Sequence, residues 1–128
     1  MQSSASTSSP PALPPAVETL LRHFPDEVKA SFLRLEENGD PQAADTLVLA
    51  IVADHMPDPT AVLADNATLM ADLGFDSVTI AEMVFFIEDL LQVSVSNAEI
   101  MQVRTVRDLR AFVRVKLAAR KPRKNGTA

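Results

Sequence analysis

The side chains best suited to chemistry meet at the start of one apolar-periodic segment. Ser77 follows Asp76, and the run from Ser77 to Leu91 reads as a helix whose first turn Asp76 caps. A serine in that position faces unpaired backbone N–H groups, where the helix dipole stabilises a phosphodiester. Ser77 is therefore placed to hold a phosphate. Gly74 supplies the tight or left-handed backbone geometry that leads the preceding loop into the helix. Serine alone is a weak nucleophile and no base lies nearby in sequence, so activation has to come from another protein. The chain has no cysteine, which excludes a disulfide framework, a thiolate nucleophile and a cysteine zinc site. Any thiol used here is borrowed. His23 and His55 stand far apart in dissimilar surroundings and read as two ordinary histidines, not as a metal pair or catalytic dyad.

The elements that must position Ser77 are helices joined by one long loop. Val17, Leu20, Leu21, Phe24, Val28, Phe32 and Leu35 recur at three- and four-residue steps. Pro25 interrupts this stripe and predicts two short helices or one kinked helix, closed by a glycine stop at Gly39. Asp40-Pro41 is a helix start, and the helix should run to about His55. In it Val48, Ile51, Val52 and Met56 form a core stripe, while Leu47, Leu49 and Ala50 add apolar surface elsewhere. A helix apolar nearly all round is buried on more than one side. Segment 17–35 is thus expected to fold back over it and cover Leu47; the competing expectation is docking on a partner protein or membrane surface. Pro57 and Pro59 stop this helix, and Asp58 to Phe75 reads as a long loop with one short turn. In the helix from Ser77, Met83, Val84, Ile87, Leu90 and Leu91 are spaced for the core. Val78, Ala81 and Phe85 fall on another face beside acidic residues, and Phe86 is compatible with either. Ser96-Asn97-Ala98-Glu99 is a capping box for a short third helix, and Thr105 to Asp108 opens a last helix through about Lys116. Val93 to Val95 alternates but is too short for a strand.

At 128 residues, 47% hydrophobic and 23% charged, the chain fits one folded domain. Residues 40–113 hold twelve acids against three bases, Arg104, Arg107 and Arg110, a balance that repels nucleic acid. Six of the twelve bases gather near the C-terminus as Arg114, Lys116, Arg120, Lys121, Arg123 and Lys124. Such a patch reads as a solvated tail, with contact to nucleic acid or anionic lipid as the alternative. The opening MQSSASTSSPPALPP has neither a basic n-region nor an apolar h-region, and the apolar run at 47–53 is too short to span a bilayer. A cytoplasmic protein is expected. Composition and pattern divide the chain into a flexible leader over 1–16, a helical extension over 17–39, a domain over 40–117 and a basic flexible tail over 118–128.

The stretch Leu73-Gly74-Phe75-Asp76-Ser77-Val78 resembles the signature of the acyl carrier protein family, in which L-G-x precedes D-S-L at the start of an acidic helix. Val78 stands where the family usually has leucine. The resemblance continues through Glu82, Glu88-Asp89, the short third helix and the Thr105-Val106 opening of the fourth, covering roughly residues 41–116. It implies an all-α, acyl-carrier-type four-helix bundle, here with an additional N-terminal helical extension. It also implies a covalent 4'-phosphopantetheine on Ser77, with Asp76 beside it, attached by a phosphopantetheinyl transferase that uses coenzyme A and magnesium. The carrier would then have no catalytic residue and would bind no metal of its own. Val78, Ala81, Glu82, Phe85, Glu88 and Asp89 would meet partners such as acyl ligases, ketosynthases or acyltransferases, the carrier itself being a monomer. Housekeeping carriers generally lack a forty-residue extension, and Thr79 and Ile80 make this helix less acidic than is usual for fatty-acid carriers. A specialised lipid or secondary-metabolite carrier is the expectation. The alternatives are a carrier domain excised from a polyketide synthase, or an unmodified carrier-like module that uses the bundle for binding alone.

Overall fold

The computed structural model describes residues 13–120. Within them the chain forms α1 (Pro15–Leu21), α2 (Asp26–Asn38), α3 (Pro41–His55), α4 (Ser77–Leu91), α5 (Asn97–Ile100) and α6 (Val106–Ala119). These residues contain no strand; Thr68 and Thr105 share one isolated antiparallel bridge, and Val93 to Val95 is not part of a ladder.

Local chemistry sets most of the boundaries. Pro25 separates α1 from α2, resolving the kink-or-break alternative as two helices, because its missing N–H and ring cannot sit inside a helix. Gly39 ends α2 at φ 66°, its N–H donating to Leu35 O at 2.8 Å. The Asp40 carboxylate accepts from Gln42 N–H at 2.9 Å and Pro41 opens α3. Both capping boxes form, Ser96 with Glu99 and Thr105 with Asp108. Gln92 ends α4 in the left-handed region at φ 57°, a non-glycine there that composition did not announce.

The extension docks. Val17, Leu21, Phe24, Val28, Phe32 and Leu35 are all buried, and Leu47 of α3 is covered completely. α2 packs along α3, and α1 packs against α4. The Phe24 and Phe86 rings lie 6.0 Å apart, and the His55 ring meets Phe86 edge-on at 5.7 Å. Phe86 is therefore half-buried beneath the extension. His23 Nε2 and Asp54 Oδ1, 3.0 Å apart, tie the α1–α2 turn to the end of α3. Burying several such apolar side chains is worth roughly 1.5–3 kcal/mol each before ordering costs, which accounts for a docked arrangement.

Two expected boundaries move. Helix α1 begins at Pro15 inside the expected leader, and α6 runs to Ala119 inside the expected tail. The remaining leader and tail residues, 1–12 and 121–128, lie outside those described. The gathered bases are also not all solvated: Arg114 pairs with Asp45 at 2.5 Å, Lys116 with Glu99 at 2.8 Å and Arg120 with Glu36 at 2.7 Å.

The long loop from Met56 to Asp76 is held at three places. Leu69, Leu73 and Phe75 are buried in the core. Arg110 of α6 binds Asp65 at 2.5 Å and Asp45 of α3 at 3.1 Å, with Arg107 adding a second contact to Asp65 at 3.0 Å. The expected short turn occurs at Thr68 to Asp72, where each residue's side chain accepts the other's N–H, at 2.8 and 3.0 Å.

Candidate functional site

This anchoring brings the loop to the first turn of α4 in a fixed direction. Leu69 O accepts from Phe75 N–H at 2.9 Å, Met70 O accepts from Gly74 N–H at 3.1 Å, and Gly74 adopts φ 80°. A Cβ there would only touch Pro57 at 3.4 Å, so glycine is required by backbone conformation and not by crowding. Asp76 is the N-cap: its Oδ1 accepts from Thr79 N–H at 2.7 Å. Those hydrogen bonds from Thr79 hold its carboxyl below the ordinary carboxylate range, so it stays ionised beside Ser77. Ser77 itself is exposed as the first residue of α4.

Ser77 opens onto a cleft of about 430 Å³ between the loop, α4, α5 and the segment before α6. Its walls are apolar, with Leu69 and Ile80 from the site's own elements, Met70 from the loop, and Ile100, Met101 and Val103 from the other side. Met70 and Met101 are largely exposed at its surface, and flexible thioether side chains adapt to differently shaped apolar guests. Arg104 is the one cation among the cleft's lining residues. The cleft escapes a reading of the sequence because three separate stretches of the chain, 68–71, 77–80 and 100–104, build it. Met101, apolar directly after a capping-box helix, was the available signal.

The expected partner residues separate into two groups. Val78, Glu82, Phe85 and Asp89 are exposed along a single stripe of α4, with Val78 64% and Phe85 56% accessible. Phe85 thus does not pack under the extension. Ala81 is half-buried at the edge of the stripe. Glu88 is half-buried and its Oε2 accepts from Val95 N–H at 2.7 Å; this carboxylate organises the α4–α5 connection and is not free on the partner face.

Among the described residues no group of histidine and acidic side chains is placed to hold a metal. No helix there is long and apolar enough to cross a membrane. An exposed serine at a helix start, bordered by an apolar cleft, fits a phosphate-linked arm with an apolar load: the hydroxyl is reachable and the cleft offers the load a place out of water.

Comparison with known proteins agrees with this geometry. The family model described as phosphopantetheine attachment site matches residues 46–113. The chain is similar to the acyl carrier protein of Syntrophus aciditrophicus (strain SB), at 25% identity over 69 residues, 54% of this chain and 86% of that protein. It is likewise similar to the acyl carrier protein of Syntrophobacter fumaroxidans (strain DSM 10017 / MPOB), at 26% identity over 70 residues, 55% of this chain and 86% of that protein.

Proposed function

Because the chain belongs to the phosphopantetheine-bearing acyl carrier protein family, we propose that Ser77 is its attachment residue and that it carries acyl intermediates as thioesters for a specialised lipid or secondary-metabolite pathway. The observation that carries this reading is the exposed Ser77 hydroxyl at the mouth of an apolar cleft of about 430 Å³. When bound, 4'-phosphopantetheine supplies the thiol that the cysteine-free chain lacks. The protein's own residues do the holding. Asp76 caps α4 and fixes Ser77 at its tip, Gly74 turns the loop into that helix, and Leu69, Met70, Ile80 and Met101 offer an acyl chain shelter from water.

Asp76 is a poor base for Ser77, since its carboxylate is engaged by Thr79 and held at low pKa. Attachment therefore depends on a base in a phosphopantetheinyl transferase, and the acyl chemistry on separate partner enzymes. The stripe Val78, Glu82, Phe85 and Asp89 is the surface that meets them, an apolar centre flanked by acids. The extension supports a specialised role: it lies outside the matched residues 46–113 yet is packed onto them.

The test is intact mass after incubation with coenzyme A and a promiscuous phosphopantetheinyl transferase. The wild type gains one arm and Ser77→Ala gains none, while the variant keeps its helical circular dichroism because Asp76 still caps α4. A loaded Ala variant, or a wild type that never loads, overturns the assignment; the second result favours a carrier-like binding module.

A further inference from the structure

Arg104 lines the cleft onto which Ser77 opens, and it is exposed. Its backbone is clamped from two sides: Arg104 O accepts from Leu69 N–H at 2.8 Å, and Arg104 N–H donates to Asp108 Oδ2 at 3.1 Å. The segment that carries it is therefore fixed relative to the loop leading into Ser77. Among the described residues the cations that follow it are all engaged, Arg107 and Arg110 with Asp65, Arg114 with Asp45, Lys116 with Glu99 and Arg120 with Glu36. Among the described residues the Arg104 guanidinium has no such carboxylate partner.

Ser77 also has an anionic neighbour in Asp76. A phosphodiester on Ser77 Oγ would stand next to the Asp76 carboxylate, which already accepts the Thr79 N–H at 2.7 Å. The end of α4 thus serves one anion before a second arrives. Like charges in contact repel, so the phosphate is driven from Asp76 toward the cleft, whose lining contains a single cation. A guanidinium presents two parallel N–H donors that match two phosphate oxygens, a geometry an ammonium does not offer.

We infer that Arg104 binds the phosphodiester of the arm carried on Ser77, laying the arm along the cleft so that its acyl load enters beside Met70, Ile100 and Met101. The inference rests on Ser77 being the attachment residue. It gives the bundle a way to favour the sheltered arrangement of arm and load over one trailing in solvent.

Holoprotein prepared from wild type, Arg104→Gln and Arg104→Lys with coenzyme A and a transferase, checked by intact mass, tests it by phosphorus NMR and by hydrolysis of an octanoyl thioester. The wild-type phosphorus resonance should move as salt is raised, and the Gln variant should start near that high-salt position and stay there. Hydrolysis of the octanoyl load should be about two- to fivefold faster in the Gln variant, the change expected from losing an exposed ion pair, with Lys in between. A wild-type resonance indifferent to salt, or equal resonances and hydrolysis rates in wild type and Gln variant, would overturn the inference. So would a difference confined to a load ending in a carboxylate, such as succinyl, which would assign Arg104 to cargo instead. A wild type that never gains the arm sinks the carrier reading and this inference together, whereas normal loading with an unresponsive phosphorus signal sinks Arg104 alone.

Discussion

At the first turn of α4 two adjacent side chains divide the work. Ser77 offers its hydroxyl outward, and Asp76 turns back to hold the helix end. Because the folded-state pKa of Asp76 is lowered from its ordinary value of 3.8 by hydrogen bonds from Thr79, its contribution to stability is present above that ordinary value. It is lost as pH falls through the lower folded value. Asp76→Asn should therefore lower the thermal midpoint near neutral pH and narrow its gap to wild type as the solution is acidified below pH 3.8. Thermal unfolding followed at several pH values reads this directly, and a gap that persists unchanged into acid would show that Asp76 acts by shape and not by charge. Asp65 and Glu99 are lowered in the same direction, by Arg110 and Lys116 respectively, so the wild type itself should lose stability on the same side of the scale. Gly74 is required for a different reason, its φ of 80°, and substitution there strains the loop that aims Ser77.

At the scale of elements, the extension is bound to the bundle by apolar burial. Phe32 of α2 is fully buried, and Leu47 of α3 is equally closed off. Phe32→Ala should cost about 3–5 kcal/mol, the usual range for emptying a buried aromatic site. Removing residues 1–38 should lower the thermal midpoint and shift amide resonances from Leu47 to Ala53. If resonances and midpoint stayed put, α1 and α2 would be passengers. These elements were legible because their signals are local. Pro25, Gly39, Asp40-Pro41 and the two capping boxes each fix a boundary through a residue's own backbone limits or a hydrogen bond within four positions. The apolar excess on α3 announced a second covering surface for the same reason, since periodicity reports faces. The pairing of Arg110 with Asp65 and Asp45, across 45 and 65 positions, was not legible. Many acids could have met that arginine, and only the packed bundle selects two. The cleft was hidden in the same way, while Glu88 looked like surface charge until the return of the chain at Val95 gave it a backbone N–H to bind.

At the scale of the whole molecule, these pairings change what a partner encounters. Along α6 and just beyond it, Arg107, Arg110, Arg114, Lys116 and Arg120 all face carboxylates of the same chain, so their fields are largely cancelled at a distance. The exposed acids Asp72, Asp76, Glu82 and Asp89, on or before α4, lack such cover among the described residues. The face around Ser77 then carries net negative charge among the described residues, with Arg104 set inside its cleft, even though this helix carries few acids for a carrier. A partner approaching Ser77 with a basic surface would be steered by that field, which decays over about 8 Å at physiological salt. Steering of this kind acts mainly on the association rate. Loading of Ser77 by a transferase should consequently show a kcat/KM that falls as salt rises, with kcat nearly constant. Glu82→Lys and Asp89→Lys should each lower kcat/KM several-fold and flatten its salt dependence, while Glu37→Lys, on α2 in the extension, should change neither. Phe85→Ala should instead weaken binding without altering the salt slope, because its exposed ring contributes area and not charge. Were the Lys variants loaded at the wild-type rate at low salt, recognition would rest on Val78 and Phe85 alone, and the acids on the stripe would serve only to keep an apolar face soluble.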